Sequence, residues 1–148
     1  MVYVPAVSCL FCAIVAGTEP AYVVFDTDDT MAFLDTRPLF PGHTLLVPKE
    51  HYETLMDLPG ALIAPLFTQA QRLAGAMEVA FSAAGSFVAI NNRVSQSVPH
   101  LHVHVVPRNR KDGLRGFFWP RTKYSSPDEA EATAAQLRTA LGAPQKLL

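Results

Sequence analysis

"SQSVPHLHVHVVPR", residues 95–108, is the stretch that decides how this chain folds. It sets His100, His102 and His104 in strict alternation with Leu101, Val103 and Val105. Strand side chains alternate between faces, so the spacing puts the three imidazoles on one face and the three aliphatic groups on the other. The whole chain has five histidines. Three in register would repel one another when charged, which argues for selected chemistry over a wet strand face that happens to use histidine. His-x-His on a strand can aim two nitrogens at one metal ion, including an open site of the oxygenase or lyase kind. Alternatively, one imidazole attacks phosphorus while its neighbours fix its tautomer. Spacing alone does not choose.

The flanks bring further polar groups to the same end of the sheet. Gln96 and Ser97 sit just upstream of the histidines, with neutral hydrogen-bonding groups suited to a phosphate or leaving group. "INN" ends the preceding strand, so Asn91 or Asn92 approaches from there. Asp35 in "FLDT" is either a carboxylate for ribose hydroxyls or a turn residue before "RP".

Further out, "AYVVFDT" and "TMAFLDT" read as strands joined through Asp28-Asp29, and "HTLLVPK" as a third, ended by Pro48. From about Pro59 to Ala84, apolar residues recur at Leu62, Ile63, Leu66, Phe67, Ala70, Leu73, Ala74 and Met77, the stripe of an amphipathic helix, closed by Gly85. "SFVAINN" and "LHVHVVP" make two more strands. "CLFCAIVAG" reads as a short helix stopped by Gly17, and Ser126-Pro127 starts a C-terminal helix. The predicted fold is α+β: an antiparallel sheet of about five strands, one long helix, a short N-terminal helix and a C-terminal arm with a helix.

Composition narrows the function classes. At 148 residues, 49% of them apolar, the chain is long enough for one domain with a proper core. A formal net charge of −1 gives no electrostatic case for a nucleic-acid or membrane-surface partner, so a phosphate would have to be held by specific donors. The apolar N-terminal run lacks a basic region, is too short to span a bilayer and is interrupted by proline, so a cytoplasmic protein is expected. The two cysteines, Cys9 and Cys12 in "CLFC", are a metal half-site, a redox pair or inert packing.

Together, "CLFCAI", "AFLDTRPLFPGHTLLVPKEH", "NN" and "QSVPHLHVHVVPR" occur in an order that resembles the histidine triad (HIT) superfamily, whose signature alternates histidine with hydrophobic residues. The likeness runs from about Ser8 to Arg108, with an arm and helix over 109–148, in a single HIT domain spanning 1–148. It implies a nucleotide hydrolase or transferase acting at the α-phosphate of purine nucleotide derivatives, such as nucleoside phosphoramidates or dinucleoside polyphosphates. His102 would attack phosphorus, a nucleotidyl-histidine would form, and water would release a nucleoside monophosphate such as AMP. Phosphorylase-type transfer to phosphate and a non-catalytic nucleotide-binding module are the alternatives.

By the same resemblance His104 supports the phosphate, His43 orients the site and Ser97 stands near the leaving group. Gln96 belongs to the same loop, and Asn91 approaches it. Asp35 binds the ribose, and Phe11, Ile14 and Phe33 line the base pocket. Cys9, Cys12, His51 and His100 correspond to a structural zinc set, closed and tetrahedral with no place for water. A homodimer is also implied. Two departures stand out. The loop "NNRVSQSV" is short and without glycine, which predicts a tighter phosphate loop. The arm "KDGLRGFFWPRTKY" lies outside the signature, with Arg115, Trp119 and Arg121 as residues that complete a pocket, cover an interface, or simply pack the arm.

Overall fold

The computed structural model describes residues 9–114 and 121–142, so Arg115 and Trp119 lie outside the described residues. Two compact units emerge, Met1–Asp112 and Gly113–Leu148. In the first unit, α1 (Leu10–Val15) precedes the hairpin β1 (Val23–Asp26) and β2 (Thr30–Leu34), then β3 (Thr44–Pro48), α2 (Gly60–Phe81), β4 (Gly85–Ala89) and β5 (Val103–Arg108). The strands form one antiparallel sheet in the order β1-β2-β3-β5-β4. With α3 (Pro127–Gly142) in the second unit, this is the expected α+β architecture of five strands and three helices.

Both faces of the central strands are covered, which is why β2 and β3 read as continuous apolar runs instead of alternating ones. On one face, Ala32, Leu46, Val103 and Val105 pack against Leu66, Ala70, Leu73 and Met77 of α2. On the other, Met31, Phe33, Leu45 and Val47 pack against Phe11 of α1. Leu46 and Leu66 are almost completely buried, and each such leucine contributes about 2 kcal/mol of burial free energy. Of the predicted helical stripe, Leu66, Ala70, Leu73 and Met77 are buried and Leu62 and Ala74 partly so, whereas Ile63 and Phe67 face outward.

Three boundaries differ from the sequence expectation, one of them the end of β4, which stops at Ala89 and leaves Ile90, Asn91 and Asn92 beyond the strand. Helix α2 ends at Phe81 with Ser82 in the left-handed conformation (φ 51°), while Gly85, expected to close it, opens β4. And β5 begins at Val103, so His100 and His102 precede the ladder. Pro48 explains the late start. It ends β3 opposite that segment and has no N–H to give, so the backbone bonds there go to loops: Leu101 N–H to the Tyr52 carbonyl and His100 N–H to the Val98 carbonyl.

The glycine of "PGH" is set by geometry. Gly42 has φ +100°, and a Cβ there would run into the Phe81 ring. In the second unit, Ser126 Oγ accepts the Glu129 N–H at 3.1 Å, an N-cap as expected, with Asp128 and Glu129 in the first turn. No helix among the described residues is long and apolar enough to cross a membrane.

Candidate functional site

Residues far apart in sequence gather at the end of the sheet where β5 begins. Cys9 caps α1, its sulfur accepting the Cys12 N–H at 3.4 Å, so both sulfurs lie on one side of the short helix. His51 follows β3, and His100 sits at the bend before β5. Cys9 Sγ and Cys12 Sγ each lie 3.5 Å from His100 Nδ1, Cys12 Sγ lies 3.3 Å from His51 Nδ1, and the two imidazole nitrogens are 3.2 Å apart. A tetrahedral zinc with ordinary Zn–S and Zn–N bonds sets its ligands roughly 3.3–3.8 Å apart. The Cys₂His₂ set therefore fits zinc in donor type and in spacing. His100 Nε2 donates to the Pro48 carbonyl at 2.8 Å, which leaves the Nδ1 lone pair aimed at the cluster. Burial, reinforced by Cys9, pushes the Cys12 thiol up to about 11, so a dication is what would hold this pair as thiolates.

His102 and His104 carry opposite tautomers, and their partners say why. His102 Nδ1 lies 2.7 Å from the carbonyl of His100, which can only accept, so the hydrogen is on Nδ1. Burial holds His102 below the usual histidine range, so the ring is neutral near neutral pH and Nε2 keeps a free lone pair. For His43 the reasoning runs the other way. The Leu39 N–H donates to Nδ1 at 3.1 Å, so the hydrogen sits on Nε2 and points to His104 Nδ1 at 3.0 Å. His104 thus accepts at Nδ1 and offers Nε2–H. Its pKa is pushed down to about 4 by burial first, then by His102 and His43, with Asp35 opposing.

This hydrogen-bond chain also disposes of a second metal candidate. Asp35, His43 and His104 bring three donor atoms within 4.8 Å of one another. With the Leu39 amide on Nδ1, however, His43 has no lone pair on Nε2 to give a cation. Nor do His100, His102 and His104 converge on one point: His100 turns to the cysteines and His102 to a backbone carbonyl. The open three-histidine site is not formed.

Beside these imidazoles lies a cavity of about 370 Å³. Phe11, Ile14 and Phe33 give it an apolar wall, and Asp35, Ser97, His102 and His104 a polar end. Phe11 is wedged edge-on against Phe33 and His102, with ring centroids 5.3 and 5.1 Å away. Asp35 Oδ1 accepts the Arg37 N–H at 2.9 Å, and Oδ2 stands 3.7 Å from His43 Nε2. His43 itself is buried behind the lining.

Asn91 and Gln96 do not line the cavity. Gln96 staples two loops, accepting the Arg93 N–H at 2.8 Å and donating to the Glu53 carbonyl at 2.6 Å. Asn92 does similar work through the Leu55 N–H at 2.9 Å. Between these staples Arg93 (φ 67°) and Ser95 (φ 60°) are left-handed without being glycine, which is how the short loop makes its turn. Sequence reading missed Thr36, Arg37 and Val98 in the lining; only the Asp35 turn before "RP" hinted at the first two.

An open antiparallel α+β sheet carrying a histidine strand beside a 370 Å³ cavity and a Cys₂His₂ cluster defines a small class of proteins. The chain belongs to the HIT family, whose domain model, "HIT domain", matches residues 16–111. The uncharacterized HIT-like protein MT1300 of Mycobacterium tuberculosis is 38% identical over 138 residues, covering 90% of this chain and 92% of that protein. Adenylylsulfatase HINT3 of Arabidopsis thaliana is 32% identical over 108 residues, 72% of this chain and 55% of that protein. A solved structure of a Zn-bound histidine triad family protein from Mycobacterium smegmatis superposes with a TM-score of 0.70 at 37% identity, covering 90% of this chain and 97% of the other. The family thus includes nucleotide hydrolases and a zinc-bound relative.

Proposed function

We propose that this protein is a nucleotide hydrolase acting at the α-phosphate of purine nucleotide derivatives, nucleoside phosphoramidates or dinucleoside polyphosphates, through a nucleotidyl-histidine intermediate. The observation that carries the reading is the neutral His102, hydrogen on Nδ1 and lone pair on Nε2, in the wall of the cavity. Nε2 attacks phosphorus, the bond to the leaving nitrogen or oxygen breaks, and the leaving group departs with a proton relayed from solvent through the Ser97 hydroxyl, which the attacking water gives back in the second step. Water then attacks the phosphorus, the P–N bond to His102 breaks, and a nucleoside monophosphate is released. Two displacements replace one difficult attack by water on a crowded anionic centre.

In this scheme His104 Nε2–H hydrogen-bonds the phosphate oxygens, and His43 keeps it in that tautomer. Ser97 assists the leaving group, Asp35 takes the ribose hydroxyls, and Phe11, Ile14 and Phe33 hold the base. Asn91, outside the cavity lining, meets the part of the substrate that extends beyond that cavity, since Asn92 is engaged by Leu55, and Gln96 serves by fixing the loop. Cys9, Cys12, His51 and His100 hold a structural zinc, which ties α1 to the segment before β5. The 1–148 chain works as one HIT domain, a cytoplasmic homodimer without nucleic-acid or membrane partners.

The test is a turnover screen over adenosine and guanosine phosphoramidates, diadenosine polyphosphates and nucleotide sugars, with His102→Ala as control. Release of AMP or GMP by the native chain, lost in a folded His102→Ala protein that still binds the nucleotide, supports the reading. Near-normal turnover by the variant refutes it. ADP appearing in place of AMP in phosphate buffer would make the enzyme a phosphorylase, and binding without turnover would make it a binding module.

A further inference from the structure

Arg37 is the charged cavity-lining residue, among the described ones, to which the proposed reaction gives no role. It sits two residues after Asp35, on the loop between β2 and β3, exposed at the rim of the 370 Å³ cavity. A guanidinium so close to a carboxylate would ordinarily pair with it. Here Asp35 is engaged otherwise: Oδ1 takes the Arg37 backbone N–H at 2.9 Å, and Oδ2 lies on the His43 side at 3.7 Å. Among the described residues no hydrogen bond or ion pair engages the Arg37 guanidinium. The other ionisable groups of the described lining are Asp35, His102 and His104. Arg37 brings the only guanidinium of that lining, a group that stays charged at every working pH. The chain as a whole, at net charge −1, supplies no positive field in its place.

We infer that Arg37 recognises a second anionic group on the nucleotide, a phosphate on the 2′ or 3′ oxygen of the ribose. The inference rests on the nucleotide reading of the cavity, in which Asp35 marks the ribose. The tight turn fixes the Arg37 backbone against the Asp35 carboxylate, so the guanidinium swings from a point beside the ribose and is within reach of what the ribose carries. Dinucleotide-binding sites use the same pair of chemistries in alternation, a carboxylate for a free diol and an arginine for a ribose phosphate. Here one turn presents both: the carboxylate takes the remaining hydroxyl, and the planar fork of donors takes the phosphate bidentately. Without the guanidinium, the Asp35 carboxylate would repel a ribose phosphate, so Arg37 decides whether such ligands are accepted.

Calorimetric titration of the full chain with AMP, adenosine 2′,5′-bisphosphate, adenosine 3′,5′-bisphosphate and ADP tests this. One of the two bisphosphates should bind the native protein at least about tenfold more tightly than AMP. Arg37→Gln should remove that advantage while changing AMP affinity less than about twofold, and Arg37→Lys, a point charge without the fork, should keep only part of it. Circular dichroism on each variant checks that the fold is intact. Equal losses for AMP and the bisphosphate in Arg37→Gln overturn the inference, as does a native protein that binds no bisphosphate better than AMP. A loss confined to ADP overturns it too, since the guanidinium would then serve the leaving-group end. Failure of the native protein to bind AMP at all would instead sink the nucleotide reading on which the inference stands.

Discussion

His43 can be split into its two hydrogen-bonding halves by substitution, and the tautomer chain makes different predictions for each. Asn at this position keeps an acceptor near the place of Nδ1, so the Leu39 N–H stays satisfied, but has no group that reaches His104. Gln reaches as far as Nε2 and can donate to His104 Nδ1, but leaves the Leu39 N–H to water. In the native protein these bonds are 3.1 and 3.0 Å long, and His43 is almost fully buried.

Losing the bond to His104 costs about 1 kcal/mol, and the lost ring atoms leave a small void costing about another, so His43→Asn should be destabilised by roughly 2 kcal/mol in urea unfolding. The Leu39 amide sits in an exposed loop where water can replace its partner, so His43→Gln should lose only about 1 kcal/mol. A 1 kcal/mol bond biases a two-state equilibrium about fivefold, so removing it leaves His104 a mixture of tautomers. If population alone mattered, kcat would fall only about twofold; loss of the donor's aim at the phosphate raises the penalty toward about 10².

Nitrogen-15 spectra of the histidine rings read the tautomers directly. The native protein should show Nδ1–H for His102 and Nε2–H for His43 and His104, with His104 mixed in His43→Asn and restored in His43→Gln. Identical spectra and stabilities for the two variants, or a native His102 with its hydrogen on Nε2, would refute the chain of reasoning.

Two further expectations concern the loops around the histidines. The protein should carry one tightly held zinc per chain by metal analysis, lost in Cys9→Ser with a clear fall in melting temperature and loosening of α1; metal retained in full by that variant would contradict the Cys₂His₂ assignment. Ser95→Gly should raise stability by about 0.5–1 kcal/mol in urea, because a left-handed φ costs an L-residue about 1–2 kcal/mol and glycine's extra chain entropy takes back part of the gain. A destabilised Ser95→Gly would mean that the loop carries no such strain.

How much of this was legible beforehand differs from residue to residue. Apolar and β-branched runs located the sheet, and helical periodicity the long helix with most of its buried face, Ile63 and Phe67 excepted, because burial repeats with the helix period. It misplaced the end of α2, since a serine took the left-handed position that glycine usually fills. Gln96 read as a substrate contact because its neighbours suggested phosphate. Its amide is instead used on Arg93 and Glu53, partners that no local pattern announces. Arg37 went unnoticed because the turn before "RP" drew attention to the Asp35 carboxylate alone, and only the folded loop sets the next two residues in the cavity lining.

The amino-acid order alone determined the family, the sequence of elements and the candidate set of histidines and cysteines, for those reside in residue type and spacing along one chain. Tertiary structure alone decided what each histidine is for. His100 turns toward Cys9 and Cys12 because Pro48, 52 residues away, cannot continue the ladder and offers a carbonyl instead. His102 and His104, two residues apart, differ in tautomer because one meets a carbonyl that can only accept and the other an imidazole N–H fixed by the Leu39 amide. A proton's position on an imidazole depends on its hydrogen-bond partners, and partners brought in from 61 positions away are set only when the chain has folded.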